Sequence, residues 1–299
     1  MIVARLGQVA RRHPMLYAAL GPLIALRRRW LRREDDSTES ILDRLAGLFA
    51  EDPVLQVDEF EGRFAFSSRS RLFRRVVEQG AYEPALTKCL LEHLDIGRDA
   101  IDVGANIGFH TVLFARRLEH RRVLAIEPTP DAGKRLLRNI ALNDVGSRVV
   151  VFDGAASDVV GHTEIKSIAG LEEFSSLGAM AHPSISGKAF AVHRIETRTL
   201  DQLVAEHSLD PGLLKVDVEG FEHHVFKGAL ETLARHRPVV VSELSDYLLR
   251  RNGSSAQEVV RLFESIGYRV LDPLHPAEKP GAREFGDMLC LPMEHIAAP

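Results

Sequence analysis

The chain has 299 residues, of which 45% are apolar and 27% charged, with two cysteines, Cys89 and Cys290. That composition excludes disordered, collagenous and membrane-embedded classes, and two cysteines build neither a disulfide framework nor a zinc cluster. The net charge of −4 conceals an asymmetry: residues 1–33 hold eight arginines and no acid, while the remainder holds 30 basic and 42 acidic side chains, which disfavours a nucleic-acid partner.

Within the basic arm, an apolar stretch over 15–26 is broken by Gly21-Pro22 and followed by Arg27-Arg28-Arg29. It is too short to span a bilayer, and arginines stand where a secretory signal would be cleaved. Two readings stay open: a cationic helix at the inner face of an anionic membrane, or an extension packed on the body or a second subunit. The expected compartment is the cytoplasm, with peripheral membrane contact through residues 1–33 under the first reading. After a polar linker (EDDSTES, 34–40), a cap region runs to residue 94. It carries helical periodicity over 41–49, a strand-like alternation over 60–66, and a helix over 85–94 opened by Tyr82-Glu83-Pro84.

The main domain, 95–299, has a different rhythm. Short apolar runs predict strands over 100–103, 123–126, 149–152, 213–216 and 239–241. Amphipathic patterns predict helices over 109–118, 131–143, 200–207 and 222–234. A helix over 256–266 and strands over 268–271 and 288–291 complete the series. Continuously apolar strands alternating with helices specify an α/β fold, a mostly parallel sheet with helices on both faces. Residues 167–192 interrupt the pattern with Gly, Ser, Ala and Pro, and an insert of that length predicts a lid or substrate loop.

The first strand-to-helix turn, Asp102-Val103-Gly104-Ala105-Asn106-Ile107-Gly108, bears on the ligand. Gly104 and Gly108 allow a sharp turn and a close backbone approach. Asn106 replaces the middle glycine of the dinucleotide fingerprint and obstructs a pyrophosphate. Asp102 favours a ligand that presents cations, such as S-adenosylmethionine. Glu127, ending the second strand, is placed to accept from both ribose hydroxyls, and Asp153, ending the third, to accept the adenine amino group.

IDVGANIGFHT (101–111) resembles the first motif of the FkbM-family methyltransferases, and KVDVEGFEHHVFKGA (215–229) resembles that family's second signature. Supporting matches are GAYEP (80–84), NIALN (139–143) and AASD (155–158), in the family's order. The resemblance implies a class I methyltransferase (Rossmann-like) fold, S-adenosylmethionine as donor, and a hydroxyl acceptor on a sugar, glycolipid or polyketide-type product. It also places Glu83, Thr111, Ala155 and Asp217 among the cofactor contacts. The chain departs from the pattern at His223-His224 and in the 167–192 insert.

Proton removal from an acceptor hydroxyl calls for a base. Glu219 is the first candidate, then Asp217 and His224. Lys215 is assigned to the site, with pairing to an acid across the sheet as its alternative. Asp217 and Glu243 with a histidine would suit magnesium, but no ligand spacing requires it, so no metal is predicted. The competing readings are a nicotinamide-dependent oxidoreductase and a non-catalytic membrane-associated binding protein of the same fold.

Overall fold

The computed structural model describes residues 52–168, 190–281 and 286–296. The arm, the linker, the helix expected over 41–49 and residues 169–189 of the insert lie outside them.

The described chain starts with an antiparallel hairpin, β1 (Val54–Val57) and β2 (Gly62–Ala65), joined by a 3-10 turn at Asp58–Phe60. The strand expected over 60–66 is therefore shorter, because Phe60 sits in the turn and Glu61 takes a left-handed φ of 53°. Its alternation still holds, since Phe60, Gly62, Phe64 and Phe66 are all buried. Helix α1 (Arg71–Gln79) went unpredicted; the Ser70 side chain caps its start by accepting from Phe73 N, and Gly80 ends it at φ 75°. Helix α2 (Pro84–Glu92) begins with proline at its first turn.

The alternating part runs β3 (Asp99–Val103), α3 (Phe109–Arg117), β4 (Val123–Ile126), α4 (Pro130–Leu142) and β5 (Val149–Phe152). A small sheet follows, formed by β6 (Ala155–Ala156), β7 (Gly161–Ser167) and β8 (Ala191–Arg198). Then come α5 (Leu200–Glu206), β9 (Pro211–Val216), α6 (Glu222–Lys227), α7 (Leu230–His236) and β10 (Val239–Glu243). The chain closes with α8 (Asp246–Arg251), α9 (Ala256–Ser265), β11 (Tyr268–Leu271), β12 (Asp287–Pro292) and α10 (Met293–Ile296). Among the described residues no helix is long and apolar enough to cross a membrane.

The main sheet has the order β11-β12-β10-β9-β3-β4-β5, parallel except for β12, which pairs antiparallel with both neighbours. Its strand order reverses at β3, opening a crevice between β3 and β9 at the carboxyl edge. Side chains alternate between two cores. Ala100, Val123, Ala125, Leu213 and Val241 pack with α1 to α4 and the hairpin phenylalanines, whereas Ile101, Leu124, Ile126, Leu214 and Val240 pack with α5, α6, α7 and α9. Burial on both faces is why these strands read as continuous apolar runs.

Two asparagines of the NIALN segment fasten the hairpin to α4. Asn139 Oδ1 accepts from Ala65 N at 2.7 Å, and Asn143 accepts from Arg63 N at 2.9 Å while donating to Arg63 O at 2.7 Å. These amides satisfy the free edge of β2 as another strand would. The helix expected over 222–234 is two helices, because the chain at Gly228 runs against the 155–158 segment. A Cβ there would lie 2.1 Å from Ser157 O. The insert over 167–192 springs from the β7–β8 ribbon, whose last described pair is Ser167 and Ala191.

Candidate active site

The loops after β3, β4, β9 and β10 enclose a cavity of about 560 Å³, closed on one side by the start of α2 and on another by Leu274, Gly286 and Asp287. Glycines shape its floor. Gly104 has φ +75°, and a Cβ on it would lie 1.8 Å from the backbone oxygen of Asp217, so only glycine lets the two loops touch. Asn106 takes a left-handed φ of 50° and donates its N–H to Glu127 Oε2 at 2.8 Å.

Glu127 is the best-defined wall group. Its second oxygen accepts from Thr129 N at 2.8 Å, so two backbone amides fix the carboxylate at the end of β4. Burial pushes its pKa up, and the bonds from Thr129 and Asn106 work against that rise.

Asp102 departs from its expected place. It is fully buried beneath the turn, outside the cavity wall. Thr111 Oγ1 donates to its Oδ2 at 2.6 Å, and Lys215 Nζ lies 3.1 Å from Oδ1. Lys215 also donates to Gly104 O at 2.9 Å and approaches Asp217 Oδ2 at 3.7 Å. Burial raises the Asp102 pKa, but Lys215, His110 and the Thr111 bond outweigh it and hold the carboxyl below its usual range. For Lys215, burial lowers the pKa while Asp102 and Asp217 raise it above the ordinary amine value. Asp102, Thr111 and Lys215 thus form a buried ionic brace that holds the β3 turn against β9. Lys215 takes its alternative role, although its side chain reaches the wall.

Three further assignments move. Gly108 caps α3 at φ 92° and packs on Leu136, away from the cavity. Asp153 is exposed and off the wall, although Ala155 and Ala156 just after it line the cavity. His224 also lies off the wall, since its Nδ1 is 2.9 Å from Asp158 Oδ1, and Lys227 binds the same carboxylate at 2.7 Å. The AASD segment thus serves α6 as an electrostatic anchor, with His224 as its partner. Glu83, Gly104, Asn106, Glu127, Ala155, Asp217, Glu219 and Glu243 do line the cavity together.

The loop Asp217–Phe221 carries the expected base. Glu219 takes φ 53° and Gly220 φ 95°, and Glu222 Oε1 clamps this turn by accepting from Val218 N at 3.2 Å and Gly220 N at 3.0 Å. Burial pushes the Glu222 pKa up to about 7. Among the described residues no group of three or more His, Cys, Asp or Glu side chains is arranged to hold a metal ion.

Sequence reasoning missed several wall residues, among them His110 and Asp287. His110 is 6% exposed, and burial together with Lys215 lowers its pKa to about 3, leaving a neutral imidazole. It stands in the first motif, next to Phe109, where its position in the first turn of α3 was a usable signal. Asp287 had no sequence signal, because only strand pairing brings it opposite Glu243.

A family model described as the Methyltransferase FkbM domain matches residues 102–270. The hexuronic acid methyltransferase AglP of Haloferax volcanii is 27% identical over 194 residues, 63% of this chain and 72% of that protein. Methyltransferase sdnD of Sordaria araneosa is 30% identical over 155 residues, 44% of this chain and 60% of that protein. Among solved structures, a methyltransferase FkbM from Methylobacillus flagellatus superposes with a TM-score of 0.42 at 19% identity, over 64% of this chain and 43% of that one.

Proposed function

The chain belongs to the FkbM methyltransferase family, and on that premise we propose that it moves a methyl group from S-adenosylmethionine to a hydroxyl of a sugar, glycolipid or polyketide-type acceptor. The observation that carries the reading is Glu127, a buried carboxylate fixed by two backbone amides on the cavity wall and suited to a ribose diol. Its neighbour Asn106 supports the fit, because its buried Oδ1 has no hydrogen-bond partner among the described residues. A buried acceptor left unpaired costs about 1–3 kcal/mol, which a bound donor recovers.

S-adenosylmethionine supplies an electrophilic methyl group when bound. The Gly104 turn, Asn106, Glu127, Ala155 and Glu83 would hold it. What the chain contributes is alignment and proton removal. The Asp102–Lys215 brace sets the distance between the β3 turn and the 217–221 loop, and the Glu222 clamp holds Glu219 at the cavity. Alignment of this kind accounts for much of the acceleration of an in-line displacement. Glu219 receives the hydroxyl proton as the methyl group is transferred, with Asp217 orienting the acceptor beside it. This assignment replaces the nicotinamide reading. Sugar acceptors are also consistent with AglP, named for hexuronic acid methylation.

Residues 1–33 are proposed to touch anionic lipid. Flotation with acidic vesicles should require the arm and weaken with salt. The test of the main proposal is calorimetric titration with S-adenosylmethionine and its demethylated product, for wild type and Glu127→Ala. Binding that the substitution removes without unfolding the protein supports it. A folded wild-type protein that binds neither compound refutes it.

A further inference from the structure

Glu243 and Asp287 occupy directly paired positions on the antiparallel strands β10 and β12, and both line the cavity. Paired positions point to the same face, so two carboxyls stand side by side where like charges are destabilising. Neither side chain has a hydrogen bond or an ion pair with any described residue. Burial raises the Glu243 pKa well above the ordinary value, reinforced by Asp217, Glu219, Glu222 and Asp287. Burial likewise raises the Asp287 pKa to about 7, with Glu83, Asp217 and Asp272 adding to it. Among the described residues, the charged groups named as acting on the pair are therefore acids. The cations of the wall are placed elsewhere, Lys215 on Asp102 and Arg75 on Glu83 at 3.3 Å.

An independent observation marks the same cavity as a ligand site. His110 is 6% exposed and forms part of the wall, yet its Nε2 has no hydrogen-bond partner among the described residues. A buried ring nitrogen in that condition is costly unless a ligand meets it.

Position in the sheet separates the acidic pair from the cofactor. Glu127 ends β4, whereas Glu243 ends β10, with β3 and β9 between them. Three strand spacings amount to roughly 14 Å. The pair therefore belongs to the acceptor end.

We propose that the Glu243–Asp287 pair is a cation subsite for the acceptor, selecting a hydroxylated substrate with an ammonium group, an amino sugar in chemical class, over neutral or anionic sugars. This rests on the methyltransferase reading above. The charge preference is opposite to what a hexuronate needs. An ammonium between the two carboxyls favours their ionised forms, so binding releases protons and tightens as pH rises through about 7.

The experiment titrates the full chain with glucosamine, glucose, glucuronate and magnesium chloride, each with and without S-adenosylhomocysteine. Glucosamine should bind about tenfold or more tightly than glucose, with glucuronate weakest. Its binding enthalpy should change with the ionisation enthalpy of the buffer, as proton release requires. Asp287→Asn and Glu243→Gln should each remove the glucosamine preference and keep S-adenosylhomocysteine binding. The wild-type comparison needs no variant to fold. Equal binding of the three sugars, binding of none, preference for glucuronate, or an unchanged preference in Asp287→Asn overturns the proposal. Magnesium binding that glucosamine does not displace overturns it too. Failure of S-adenosylhomocysteine to bind strikes the cofactor reading instead and leaves the sugar comparison legible.

Discussion

Asparagine at position 102 keeps the shape of the side chain and removes the charge that balances Lys215. The two groups are 3.1 Å apart, with side chains 1% and 5% exposed. Among the described residues no other acid takes over at that distance, because Asp217 reaches Lys215 only at 3.7 Å from a side chain 38% exposed. Thr111 would face an amide in place of a carboxylate at its 2.6 Å contact. Removing one partner of a buried pair costs about 3–5 kcal/mol, chiefly because the other charge stays buried without balance. For a folded body of this size each kcal/mol moves the melting temperature by about 2–4 °C, so Asp102→Asn should lower it by roughly 6–20 °C. Urea unfolding followed by circular dichroism gives the free energy, with an unchanged slope showing that the folded state keeps its compactness. Adding Lys215→Met should restore part of the loss, since the two positions are coupled. The reasoning is refuted if Asp102→Asn costs less than about 1 kcal/mol while affinity for S-adenosylhomocysteine collapses. That result would mean the carboxylate is spent on the ligand and not on the brace.

Gly104→Ala should abolish cofactor binding, because its Cβ would lie 1.8 Å from a backbone oxygen at a φ of +75°; an alanine variant binding normally in calorimetry would refute the close approach. Glu222 has its pKa raised to about 7 by burial, so its protonated form stabilises the fold fully below the ordinary carboxyl range, and this contribution is lost as pH rises through about 7. Glu222→Gln should match wild type near pH 4 and exceed it by about 3 kcal/mol near pH 9, and parallel stability curves would refute the shift. With an acceptor that the enzyme methylates in hand, Glu219→Gln should lower kcat by about 10²–10⁴ while His224→Ala changes it by less than about twofold, and the reverse ranking would make His224 the base. His224→Ala should still cost about 1 kcal/mol in denaturant unfolding, from the bond to Asp158 at 2.9 Å.

Much of the fold was legible locally. The strands over Val123–Ile126, Val149–Phe152 and Tyr268–Leu271 match their apolar runs, and the other main-sheet strands differ by one or two residues at an end. An apolar run bounded by turns carries its own boundary information, whereas a helix break such as Gly228 depends on what packs against it. Helix α1 was missed for a related reason. Three arginines, a glutamate and a glutamine dilute its periodicity, and its buried side, Leu72, Phe73, Val76 and Val77, makes sense only against the hairpin. At the site, the glycine turn and Glu127 were readable, because backbone conformation and a strand-end carboxylate are local features.

What the sequence by itself determined is the alternation of strand and helix, the glycine turn, the acidic strand ends and the family resemblance, all properties of contiguous residues. Tertiary structure alone decided which acids face the cavity. Asp102, Glu127 and Asp153 look equivalent along the chain, yet one is braced by Lys215, one lines the cavity and one is exposed. Their partners come from residues such as Lys215, far away in sequence, and a side chain's charge is spent where the nearest opposite charge lies in space. The same holds for Glu243 and Asp287, which become a pair only when β10 and β12 lie side by side in register.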